Sequence, residues 1–205
     1  MLEAYLQEAP VAGVIFIITI VYSLIAFFNQ DVYAGSMMHP YSVSRGEKVY
    51  TLLTSGFVHN GFAHLLFNMF SYFFFAFPLE MRLGHWQFGL LYIVSIILSD
   101  IPTVVKHKDD FWYRSLGASG GVCAVLFSYI LFSPFTRLMI FPLPIPIPAI
   151  LYAVLFLAYC VYASRQQADN INHDAHFFGA LNGLVLTILL KPGIVPYFFS
   201  QLGLG

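Results

Sequence analysis

The intervals of this chain that are nearly free of Asp, Glu, Lys and Arg decide what it can fold into. A helix needs about 20 mostly apolar residues to cross the hydrocarbon core of a bilayer. Six intervals approach that, at about 11–28, 61–79, 86–101, 119–133, 149–164 and 173–190. Only 9% of the residues are charged, against about 25% in a soluble domain, so the chain reads as an integral membrane protein. The aromatic share of 18% suits lipid-facing and interfacial positions. The expected fold is all-α: one polytopic domain over 1–205 with six transmembrane helices, without a repeat or a second domain.

The connections are uneven. Residues 29–60 are broken by Gly35, Pro40 and Gly46 and carry Tyr33, Tyr41 and Tyr50, a composition suited to a segment lying in the interface. The most charged loop, Lys106-His107-Lys108-Asp109-Asp110, follows the third span. Pro142, Pro144, Pro146 and Pro148 cannot sit inside a helix and predict a rigid connector. The first ten residues carry Glu3 and Glu8 and no Lys or Arg, the reverse of a cleaved signal peptide, so the first span is expected to be retained. A net charge of −1 offers no basic face to nucleic acid. Cys123 and Cys160 each lie in an apolar span, which argues against a disulfide framework.

Polar side chains within spans are costly and face the bundle interior, so the few present are informative. Ser119 stands in Gly117-Ala118-Ser119-Gly120-Gly121 at the mouth of the fourth span, where glycines leave the backbone and the hydroxyl open to close approach. His64 and Asn68, four apart on the second span, share a helix face. His176 lies near the start of the sixth. A serine nucleophile requires a neutral imidazole to take its proton and donors for the oxygen that becomes negative. His176 can be that base; His64, Asn68 and amides near Ser119 can be the donors. Gly120, Ala124 and Ser128, and likewise Ala175, Gly179 and Gly183, recur every four residues. Such stripes let membrane helices meet backbone to backbone, which would bring residues 119 and 176 together.

Taken in order, His64-x-x-x-Asn68, Gly117-Ala118-Ser119-Gly120 and Ala175-His176-x-x-Gly179-x-x-x-Gly183, with Glu80-Met81-Arg82-Leu83-Gly84 after the second span, resemble the rhomboid family of intramembrane serine proteases. The resemblance runs from about 49 to 190 and implies the compact six-span bundle of the bacterial form. It implies a Ser119–His176 dyad and an oxyanion and substrate-binding site of His64, Asn68, Gly117, Gly120 and the Ser119 amide, in a water-filled cavity below the membrane surface. It further implies no cofactor and no metal, transmembrane protein substrates within the lipid bilayer, and a bacterial inner membrane as location. Asp174, about 200° around the helix from His176, is read as a helix cap with Asn172, and Glu80 with Arg82 as a polar tie.

The chain departs from the family in three respects. Tyr50-Thr51 stands where a Trp-Arg pair is usual in the first loop. Cys123 replaces a tyrosine that follows the serine by four and packs beneath the histidine. With the amino terminus in the cytoplasm, Arg82, Arg137 and Lys191 lie inside, and Arg45, Lys48, Lys106, Lys108, Arg114 and Arg165 outside, against the usual positive-inside distribution; the reading follows the family. Blander roles stand beside these: Ser119 as a packing residue, His176 bonded to a carbonyl, His64 and Asn68 in an interhelical hydrogen bond, and His59 and His173 structural or solvated at loop edges. Two other functions are weighed. An inactive rhomboid-like client binder should lack the serine or the histidine. A histidine-ligated metal or haem protein finds no His-Glu-x-x-His, no mid-span carboxylate and no paired cysteine motif.

Overall fold

A computed structural model describes residues 7–140, 143–166, 169 and 171–204; Glu3 and Pro142 lie outside them. Helix α1 (Pro10–Phe28) leads into short helices α2 (Gln30–Ser36), α3 (Pro40–Val43) and α4 (Thr51–Thr54) and a 3-10 turn at Ser55–Phe57. Helices α5 (Gly61–Leu83) and α6 (His85–Lys106) are followed by α7 (Ser119–Phe132), an antiparallel hairpin of β1 (Arg137–Ile140) and β2 (Leu143–Pro148), then α8 (Ala149–Gln166), α9 (His173–Leu190) and α10 (Ile194–Gln201). Helices α1, α5, α6, α8 and α9 are long and apolar enough to span a bilayer, and α7 is a shorter apolar helix. The chain is a six-helix membrane bundle.

α7 is the core. Apart from Ser119 and Tyr129 every residue in it is buried, as expected for a helix that is apolar on all sides. Its 14 residues measure about 21 Å at 1.5 Å per residue, against about 30 Å of hydrocarbon. A helix that short falls about 9 Å short of the full hydrocarbon thickness, and its first residue is Ser119.

Several expectations need correction. The third span continues through Pro102 to Lys106, since packed neighbours tolerate a proline in a membrane helix; Asp100 is therefore a buried carboxylate inside a span, 8% exposed. Of the proline run, Pro144, Pro146 and Pro148 fall in β2 and not in a bare spacer; with one partner strand among the described residues, it is an edge strand on which missing N–H groups cost little. Glu80 and Arg82 do not pair. Fully buried, Glu80 accepts the Val11 and Ala12 amides at 3.1 and 2.6 Å, two of the first-turn donors that a helix leaves open, and meets His85 Nδ1 at 2.6 Å. Arg82 bonds Ser133 and faces the Tyr129 ring. Gly84, at φ +111°, supplies the left-handed residue between α5 and α6.

The first loop has anchors of its own where the Trp-Arg pair is missing. Met38 and Ser115 form a two-hydrogen-bond bridge, His39 Nε2 bonds the Phe111 carbonyl at 3.0 Å, and Arg45 reaches the Lys108 carbonyl and Asp109. Together they fasten 29–60 to the segment that delivers Ser119.

Candidate active site

The two small-residue stripes meet. A side chain at Gly179 would overlap the Gly120 carbonyl and one at Gly183 that of Ala124, and farther along Thr187 Oγ1 donates to Ser128 Oγ at 2.5 Å. Glycine is required where backbones touch in this way. α7 and α9 are thereby locked with their N-termini at the same end of the bundle, and both helix dipoles present their positive ends there.

Each N-terminus is held from outside its helix. For α9, Asn172 Oδ1 accepts the Ala175 amide at 3.0 Å, and its side chain also bonds Thr103 and Ser115. Asp174, read from sequence as a second cap, instead takes Lys106 Nζ at 2.6 Å and the Ser164 hydroxyl. For α7, the Gly117 amide donates to the Ser55 carbonyl at 2.9 Å. Gly117 has φ +123°, and a Cβ on it would strike the His64 ring. The Ala118 amide donates to His59 Nε2 at 3.3 Å. His59 therefore carries its proton on Nδ1, 2.9 Å from Ser23 Oγ, which donates onward to the Phe57 carbonyl. Burial, with His64 nearby, pulls His59 down to about 3, so the ring is a neutral strut. It is fully buried, structural and not solvated; no local pattern in the sequence ties it to Ala118.

On α5, His64 Nδ1 accepts the Asn60 amide at 3.2 Å. A neutral ring in that arrangement carries its proton on Nε2, and it is this ring that a Cβ on Gly117 would strike. Asn68 Nδ2 donates to the His64 carbonyl at 3.0 Å, a bond within the helix and not between helices, and keeps a second N–H. The amides of Ser119, Gly120 and Gly121 fall in the first turn of α7, which has no carbonyl of its own to offer them.

Ser119, His176, His64, Asn68, Gly117 and Gly120 all line one cavity of about 1120 Å³, with Lys106, Asp110, Arg114 and Asp169 also on its wall. Among the described residues, neither the Ser119 hydroxyl nor the His176 ring forms a hydrogen bond, with each other or with a third group; catalytic hydrogen bonds commonly tighten only with substrate. The ring under His176 comes from the fifth span: Phe156 of α8 lies nearly parallel to it, centroids 6.3 Å apart at 22°. The sequence had pointed only to position 123 for that support. Cys160 on α8 stands with His173 and His176, their ligand atoms all within 4.8 Å of one another, although no spacing motif joins them. A hydroxyl, an imidazole and converging N–H donors in a pocket partly closed to water are the parts that acyl transfer to serine needs.

The profile of the Rhomboid domain matches residues 46–193. The chain is 35% identical over 147 residues to the putative rhomboid protease YdcA of Bacillus subtilis, covering 72% of this chain and 69% of that one. It is 23% identical over 181 residues to RHOMBOID-like protein 12, mitochondrial, of Arabidopsis thaliana, covering 81% and 54%, and 25% identical over 150 residues to Rhomboid-related protein 1 of Caenorhabditis elegans, covering 71% and 41%.

Proposed function

Since this chain belongs to the rhomboid family, we propose that it is an intramembrane serine endopeptidase that cuts transmembrane protein substrates with Ser119 as nucleophile and His176 as general base. The observation that carries this reading is the convergence of Ser119, His176, His64 and Asn68 on one cavity at the paired N-termini of α7 and α9. Ser119 Oγ attacks the scissile carbonyl while His176 takes its proton. The oxygen that becomes negative is met by His64 Nε2–H, the free Asn68 N–H and the Ser119 and Gly120 amides. His176 then returns the proton to the leaving amine, and water, activated by the same ring, releases the acyl chain. Preorganised donors of this kind gain strength where bulk water is excluded.

With its start set below the membrane surface, as the shortness of α7 allows, the site would reach a peptide bond within the bilayer. Access runs between α5 and α8: of α8 only Ala149, Cys160 and Ala163 are buried, and Phe75, Tyr152 and Phe156 from these two helices line the cavity. The membrane is assigned as a bacterial plasma membrane, in keeping with the Bacillus subtilis relative.

The test is fluorophosphonate labelling and cleavage of a single-span reporter by the purified full chain. Wild type should label and cleave, Ser119→Ala should do neither, and His176→Ala should lose nearly all cleavage while keeping the melting temperature of the parent. Wild-type cleavage by the His176 variant removes the dyad. A chain that neither labels nor cleaves, yet retains single-span clients, is the inactive client binder.

A further inference from the structure

Beside the dyad, and sharing His176 with it, stands a grouping of Cys160, His173 and His176, from α8 and the first turn of α9. We infer that these three side chains form a binding site for a thiophilic divalent cation, Zn²⁺ above all, whose occupancy removes His176 from proton transfer; the inhibitory part of this rests on His176 being the base.

The geometry supplies the ligands and their orientation. His173 and His176 are three apart on one helix and so share a face, with ring centroids 6.0 Å apart at 83°. Cys160 reaches them from the neighbouring helix, and the three ligand atoms lie within 4.8 Å of one another. Ligand atoms around tetrahedral zinc sit about 3.3–3.8 Å apart at bond lengths of 2.0–2.3 Å, so about 1 Å of side-chain adjustment closes the site. His173 Nε2 lies 3.0 and 3.2 Å from the two Asp169 carboxylate oxygens. That contact holds the ring proton on Nε2 and leaves Nδ1 as a lone pair, the carboxylate–histidine–metal arrangement of zinc sites. Nδ1 of His173 is buried without a hydrogen-bond partner, in a residue only 5% exposed. A buried lone pair without a donor is costly, and a metal ion is what would satisfy it.

Two imidazoles and a thiolate suit zinc and exclude magnesium or calcium, which prefer oxygen. Zinc binding displaces the Cys160 thiol proton to solvent and needs His176 as a neutral ligand, so the lone pair that would take the serine proton becomes a metal bond. His173 and His176 also line the cavity, so water from it would complete the ion's coordination. No electron transfer or covalent step is involved, and a chelator reverses the state.

The experiment uses the purified full chain with Co²⁺ as optical probe and Zn²⁺ as inhibitor. One Co²⁺ per chain should bind with a thiolate charge-transfer band, which Cys160→Ala abolishes and Cys123→Ala keeps. His173→Gln should weaken Co²⁺ binding at least tenfold. Cys160→Ala should retain basal cleavage while the half-inhibitory Zn²⁺ concentration rises at least tenfold. Absence of the band in wild type overturns the site, as does zinc sensitivity unchanged in both the Cys160 and the His173 variants. The optical readout does not need activity: Ser119→Ala should bind Co²⁺ like wild type. A chain that binds through these residues but never cleaves upholds the site and overturns the protease reading, and the converse result does the reverse.

Discussion

The α7–α9 contact offers the sharpest test of how the fold sets up the chemistry, through Gly179→Ala. A Cβ at 179 would stand 2.9 Å from the Gly120 carbonyl carbon and 3.0 Å from its Cα, closer still to its oxygen, where ordinary contact begins at 3.4 Å. The clash is with backbone, so no rotamer relieves it. The helices must part by at least the 0.5 Å difference between 3.4 and 2.9, and by about 1 Å once the oxygen is cleared. Overpacking of this kind costs about 1–3 kcal/mol. Because Gly120 follows Ser119 directly and Gly179 lies one turn from His176, the displacement falls on the line between hydroxyl and imidazole. A misplacement of about 1 Å lowers catalysis by up to about 10²-fold. Reporter cleavage by Gly179→Ala should therefore fall by about ten- to a hundredfold with the fold retained, while Gly35→Ala, with nothing within 4 Å of the new methyl, should match wild type. Melting temperature in detergent reports the stability part separately. Cleavage within twofold of wild type, with the melting temperature unchanged, would mean that the spacing of α7 and α9 does not set the distance on which the chemistry depends.

Three further outcomes are expected. Asn68→Ala should lower turnover by about 10²- to 10³-fold, the loss when one oxyanion donor is removed, with melting temperature nearly unchanged; a loss below threefold would show that His64 and the amides suffice. Glu80→Ala leaves the Val11 and Ala12 amides without their acceptor and should destabilise the fold by about 3 kcal/mol, read as a lower melting temperature, whereas a melting temperature equal to wild type would mean that water replaces the carboxylate at no cost. Stability should also fall with acid because of His59. Its folded value, about 3, lies below the ordinary 6.5, so the unfolded chain takes up the proton first; the contribution is whole above pH 6.5 and is lost as pH falls from there toward 3, by up to about 1.4 kcal/mol per unit. The melting temperature of His59→Gln should be lower at pH 7 and flatter between pH 6.5 and 4, and parallel profiles for the two proteins would remove His59 as the source.

What could be read from the sequence, and what could not, divides along a physical line. The helices and their small-residue faces follow from a local period, so the span intervals fall within a few residues of most helices, and the stripes of Gly120 and Gly179 are where the backbones touch. Contacts between distant parts of the chain carry no such period. Nothing local assigns His59 to the Ala118 amide, Phe156 to the underside of His176, or Cys160 to the pair of histidines, because each depends on which faces of three or more helices are turned toward each other. Asp100 stood at the very edge of the third interval, 86–101, and only packing shows that the helix runs on to Lys106 and leaves this carboxylate buried within it. The Glu80–Arg82 pairing is a different case, since the sequence did contain the argument against it. Residues two apart on a helix point about 200° from each other, the reasoning that separates Asp174 from His176, and it separates Glu80 from Arg82 equally well. Applied there, it sends Glu80 inward to find donors and Arg82 outward toward Ser133 and Tyr129, and the most available donors at that end of a bundle are the open amides of the α1 N-terminus.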